Sequence, residues 1–144
     1  MAMTGKAQSI GLLILRIGVG VMFILYGATK FAGGEQVLVR FGEGMKMLGV
    51  TGDFKMWGTV AALIQIVGGA ALITGAFFRP LCFLLLFVMV MSSAWTIRTQ
   101  SGFWDLVYEA GRPINMGTVF LALLIIGPGR YNLGKYINPF SGGD

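Results

Sequence analysis

The sequence predicts an all-α protein: an integral membrane four-helix bundle with an amphipathic interfacial helix in its first loop. Three observations carry that reading. Of the 144 residues, 56% are hydrophobic and only 12% are charged, about half the roughly 25% charged share of a soluble domain. The apolar residues gather in four blocks, and the mean hydropathy is +0.78. The loop between the first two blocks has a helical stripe of its own. There is no histidine, and the single cysteine, Cys82, has no internal disulfide partner. Histidine-ligated haem, most zinc sites and hydrolases with an imidazole base are therefore excluded.

A hydrocarbon core about 30 Å thick requires roughly 20 mostly apolar residues per helix. Residues 10–31 satisfy this, with Arg16 as an internal charge. Lys6 ahead of them gives the outline of a signal peptide. However, Arg16 interrupts the apolar run and no small-x-small site follows, so the block is read as a retained span. In residues 35–48, Val37, Leu38, Phe41, Met45 and Leu48 fall within about 100° of a helical wheel, with Glu35, Arg40, Glu43 and Lys46 opposite. That helix either packs over the mouth of the bundle or forms a lid over a cavity. Residues 56–78 form an uncharged second span, and a tight turn is expected around Phe78-Arg79-Pro80. Residues 81–98 form a third span, closed by Arg98. The segment to Arg112 carries Trp104, Asp105, Tyr108 and Glu109, as befits the headgroup level. The fourth span, 113–127, has an apolar stretch of only about 13 residues, short of the roughly 20 required. A tilted start near Trp104–Tyr108, a thinned bilayer or a partly re-entrant path would each cover the deficit. The whole chain, 1–144, reads as one four-span domain.

Helices in lipid pack through small residues and interhelical polar contacts. In the first span, Gly11–Gly18 and Gly20–Gly27 mark two nearly opposite faces. Arg16 and Phe23 share the second of these, and Lys30 lies near it. Gln65 shares a face with Gly58, Ala61, Gly68, Gly69 and Leu72, while Val88, Met91, Ser92, Trp95 and Arg98 cluster on the third span. A charge at mid-membrane costs about 2.5–3.5 kcal/mol on insertion scales. Arg16 lies roughly 9 Å into its span at 1.5 Å per residue, so two placements are open. Its stem reaches the headgroups, or the guanidinium is buried and held by Gln65, Tyr26 or backbone carbonyls. A buried cation invites an anionic or quinone-oxygen ligand, which makes Arg16, Tyr26, Gln65, Trp95 and Arg98 the candidate ligand-binding set. Gln65 as interhelical glue and Trp95 with Arg98 as an interfacial belt are the plainer alternatives. No catalytic or metal-binding constellation accompanies them.

The net charge of +5 points to anionic lipid headgroups rather than nucleic acid, because the basic residues flank spans instead of forming one face. Four cations lie on the side of the termini (Lys6, Arg79, Arg130, Lys135) and six opposite (Lys30, Arg40, Lys46, Lys55, Arg98, Arg112). That count leaves the orientation open, even if Arg16 joins the first group.

The stretch Leu15-Arg16-Ile17-Gly18-Val19-Gly20, followed by Phe23, Tyr26-Gly27 and Lys30-Phe31, resembles the opening of the DoxX family. Gln65-Ile66-Val67-Gly68-Gly69 with Leu72, Gly75 and Arg79, and the ending Gly127-Pro128-Gly129-Arg130-Tyr131, resemble its later motifs. The resemblance implies a multi-pass protein of the bacterial-type cell (inner) membrane with both termini cytoplasmic. It also implies a role as a membrane subunit of a quinone-linked oxidoreductase system. On that expectation the chain has no intrinsic cofactor, binds a quinone or lipid-like ligand between spans, and works in the bilayer with a partner subunit or as a homo-oligomer. The family often carries glutamate where this chain has Gln65, and a neutral amide can neither balance Arg16 nor move a proton as a carboxylate does. The competing readings are a non-enzymatic membrane scaffold or assembly factor and, behind it, a small-solute permease.

Overall fold

The computed structural model describes residues 5–137. Four helices are long and apolar enough to cross a membrane: α1 (Gly5–Ala32), α3 (Phe54–Thr74), α4 (Phe78–Thr99) and α5 (Phe103–Ile126). Between the first two, α2 (Gly34–Gly42) continues into a 3-10 segment, Glu43–Leu48, and a single turn, α6 (Gly134–Ile137), follows α5. The protein is an all-α, multi-pass membrane bundle.

Helix ends follow local chemistry. The Asp53 side chain caps α3, accepting from the backbone N–H groups of Lys55 (3.0 Å) and Met56 (3.3 Å). Gly75 ends α3 in the left-handed conformation, φ 79°. The turn expected around residues 78–80 instead occupies Gly75–Phe77, and Arg79-Pro80 lie in the first turn of α4. A proline there leaves no intrahelical bond unmade. The segment expected as residues 35–48 of one helix changes from α to 3-10 at Gly42–Glu43, where glycines on both sides weaken the α-helix.

The fourth span differs most from its expected bounds of 113–127. It begins ten residues earlier, at Phe103, and its 24 residues extend about 36 Å at 1.5 Å per residue, which removes the length deficit. Pro113 lies inside this helix, and Ala110, Pro113, Phe120 and Leu123 form its buried seam. Asp105 in the first turn suits the positive end of the helix dipole.

α1 packs on α3, α3 on α4 and α4 on α5, with α2 lying across α3. The α1–α3 seam is the closest. A Cβ on Gly20 would lie 2.6 Å from the Gly69 carbonyl oxygen, and a Cβ on Gly69 would lie 2.5 Å from that of Gly20, so only glycines allow the backbones to approach this far. Gly42 and Gly58 make a second such contact, which fixes the end of α2 to α3. The core is Phe23, Leu72, Phe78, Cys82, Leu85, Val88, Met89, Phe120 and Leu123. Phe23 of α1 meets Phe120 of α5 edge to face, with 4.8 Å between centroids.

Candidate functional site

The buried face of α1 is Arg16, Gly20, Phe23 and Gly27, a seven-residue rhythm that Lys30 continues. The two glycines bring α3 close, and a cation stands at each end of the stripe. Their surroundings differ.

Arg16 is 1% exposed. Its Nε donates to the Leu72 carbonyl (2.8 Å) and its Nη2 to that of Ile73 (3.3 Å). Nη1 donates to the carbonyls of Pro128 (2.5 Å) and Tyr131 (2.7 Å). Leu72 and Ile73 lie in the last turn of α3, whose carbonyls have no partner within the helix and form its negative end. The guanidinium also stands 5.3 Å from the centroid of the Phe78 ring. Of the two placements the sequence allows, the structure has the buried one, with backbone carbonyls as acceptors. Four of the five N–H donors of a guanidinium are occupied in joining α1, the end of α3 and the chain after α5. Leu133 reinforces that junction, its N–H donating to the Thr74 carbonyl at 2.9 Å.

Lys30 is half-buried, and its ammonium turns back toward the middle of the bundle, against the usual snorkelling direction. It donates to Gln65 Oε1 at 2.7 Å and to the Tyr26 carbonyl at 3.2 Å, and it stands 4.2 Å from the centroid of the Phe41 ring. Gln65 is 2% exposed. An ammonium only donates, so the amide must turn its oxygen to Lys30. Its Nε2 then donates to no described residue.

The five candidate residues are not gathered around one point. Arg16 belongs to the junction at the end of α3, and Gln65 pairs with Lys30. Tyr26, 39% exposed as a residue, contributes its carbonyl to that pair, and its ring meets Phe23 edge to face at 5.8 Å. Trp95 and Arg98 lie toward the end of α4 and hold the 3-10 segment: the Lys46 ammonium is 5.5 Å from the Trp95 ring centroid, and Arg98 Nη1 is 3.8 Å from Met47 Sδ. Lys30 was absent from the candidate set, although its place on the stripe from Arg16 was visible in the spacing.

Beside the Lys30–Gln65 pair is a cavity of about 240 Å³ between α2 with its 3-10 extension, α3 and α4. Phe41, Met45, Trp57, Ile64, Phe87 and Met91 are among its walls, and Ser92 brings a hydroxyl. Phe41 is shared, lining the cavity and covering the Lys30 ammonium. Ile64 also lines it, immediately before Gln65 in α3.

Comparison with known proteins follows the same residues. The DoxX family profile matches residues 11–98, which include Arg16, the glycine seam, Lys30, Gln65 and every wall of the cavity. The chain is 28% identical to "Inner membrane protein YphA" of Escherichia coli (strain K12), over 91% of this chain and 93% of that protein. No solved structure matches significantly. Since the matched region covers more than half of the chain and contains the whole packed seam of α1 on α3, the protein belongs to the DoxX family.

Proposed function

We propose that this protein is a quinone-binding membrane subunit of a quinone-linked oxidoreductase system, without catalysis of its own. The cavity between α2, α3 and α4 carries the reading. Ligand sites are concave and mostly apolar, with a few placed polar groups, and this cavity has apolar walls beside one ammonium–amide pair. Its volume of about 240 Å³ is just under the usual lower bound of about 300 Å³. That suits one ring or a short chain segment, with the rest of a long tail lying in the bilayer. A bound quinone would supply the electron-accepting chemistry, which this chain's own side chains lack. The test is purification in native lipids followed by extraction. Quinone recovered in proportion to protein, and lost when Ala61→Phe fills the cavity, is the expected result. No quinone and no co-purifying redox partner would contradict it.

The name of the similar Escherichia coli protein supports an inner-membrane location. We place both termini in the cytoplasm. On the terminal side Lys6, Arg79 and Arg130 are exposed and no acidic residue is present among the described residues, whereas Glu35, Glu43, Asp53, Asp105 and Glu109 all lie on the other side. An uncompensated cationic rim suits an anionic cytoplasmic leaflet.

An assembly role is favoured by a separate observation. Gly11 and Gly18 lie exposed on the outer face of α1, and a Cβ at either would meet nothing within 4 Å. Such a flat strip accepts a partner helix closely, from a partner subunit or a second copy. Loss of a crosslinked species in Gly18→Leu is expected on this reading, and an unchanged crosslinking pattern would count against it.

A further inference from the structure

We infer that Lys30 and Gln65 form the polar end of the cavity, together donating to the oxygen head of an apolar-chained ligand once the Phe41 ring turns aside. This deepens the quinone-binding reading and rests on its cavity. Lys30 has three N–H donors. Two are occupied by Gln65 Oε1 and the Tyr26 carbonyl, and the ammonium faces the ring of Phe41 at 4.2 Å. A ring face is a weaker partner than an oxygen for a desolvated ammonium. Gln65 contributes a second donor, because the contact with Lys30 fixes its oxygen and leaves Nε2 without a described acceptor. No fully buried side-chain N or O lacks a partner among the described residues, so this amide nitrogen is not sealed off. Neither Lys30 nor Gln65 meets a carboxylate among the described residues. The Lys30 ammonium therefore stands behind one aromatic side chain, itself a wall of the cavity, with Gln65 bonded to it and no acid beside either.

Phe41 is placed to move. It lies at the end of α2, where Gly42 fixes the backbone against α3, and the chain then leaves the α-helix for the 3-10 segment. A rotation of the side chain alone joins the cavity to the ammonium, with no movement of a helix. The ligand chemistry that matches is a carbonyl-type oxygen on an apolar body. A quinone ring presents it as a neutral carbonyl and a fatty acid as a carboxylate.

Trp57 lines the cavity, so a protein retaining Trp57 as its one tryptophan reports occupancy by quenching. Three quenching probes separate the sources: a short-tailed benzoquinone, a brominated fatty acid and a brominated alkane of equal length. Lys30→Met and Gln65→Leu are each expected to weaken a head-bearing probe about tenfold, the loss associated with one hydrogen bond to a charged or buried group. They should leave the alkane unchanged, which also shows that the cavity is intact. Equal binding of head-bearing probes to wild type and both variants would overturn the inference, as would an equal loss for the alkane. If the fatty acid shows the head-group effect and the quinone never binds, the inference stands and the quinone reading falls. If no probe quenches Trp57 in the wild type, both fall together.

Discussion

Arg16 and Lys30 occupy one face of α1, fourteen residues apart, and neither meets a carboxylate among the described residues. They illustrate opposite uses of a cation inside a bundle. Arg16 is enclosed by carbonyls from two other parts of the chain, and it satisfies a helix end that lipid cannot hydrate. Lys30 meets one amide, one carbonyl and one ring, next to a cavity. Burial alone therefore does not mark a ligand site. What distinguishes the two is what covers them: carbonyls close around Arg16, whereas the ring over Lys30 is itself a wall of the cavity.

The largest expected effect comes from breaking the enclosed end. Arg16→Met orphans several buried carbonyls, and a loss on the order of 3–5 kcal/mol is expected from the cost of about 1–3 kcal/mol per unsatisfied buried group. A large fall in melting temperature in detergent would register it. Arg16→Lys should recover only part of the loss, because a compact ammonium cannot span acceptors that a planar fork reaches. Next comes the seam that positions both cations. Gly69→Leu drives a side chain into the Gly20 carbonyl and should cost about 1–3 kcal/mol, whereas Gly18→Leu, on the outer face of the same helix, should stay within about 0.5 kcal/mol. Similar losses at the two glycines would show that α1 and α3 do not pack as described. Lys30→Met sharpens the comparison from the other side, with a smaller loss of about 1–2 kcal/mol, because it leaves one amide oxygen without its donor and not four carbonyls. The smallest effect concerns topology and leaves stability untouched: a reporter fused at the C-terminus and active only in the cytoplasm should be active, and silence would reverse the assigned orientation.

Much of the fold was legible because period and length are strong signals in a bilayer. The glycine rhythm of α1 marked two faces, of which Gly20–Gly27 packs on α3. Of the stripe Val37, Leu38, Phe41, Met45 and Leu48, the middle three turn inward, whereas Val37 and Leu48 are exposed. The start of α5 was legible only as one of three alternatives, a helix begun near Trp104–Tyr108. Trp104, Tyr108 and Glu109 are exposed, so the first turns of that helix have the composition of a headgroup loop, and Pro113 looks like a beginning when it lies mid-helix. The site was only partly readable. Gln65 was recognisable as a polar group on a packing face, yet its partner depended on which way the Lys30 side chain turns, and spacing does not encode that. The acceptors for Arg16 come from residues up to 115 positions away and are backbone carbonyls, which have no sequence signature.

The most direct test of the account is the melting temperature of wild type, Arg16→Lys and Lys30→Met, each measured with and without a short-tailed benzoquinone. Arg16→Lys is expected to melt well below wild type but to keep the stabilisation given by the quinone, and Lys30→Met to melt only slightly lower and to lose most of it. The reverse pattern, with the quinone effect lost at Arg16 and kept at Lys30, would contradict the division between an enclosed cation and an available one.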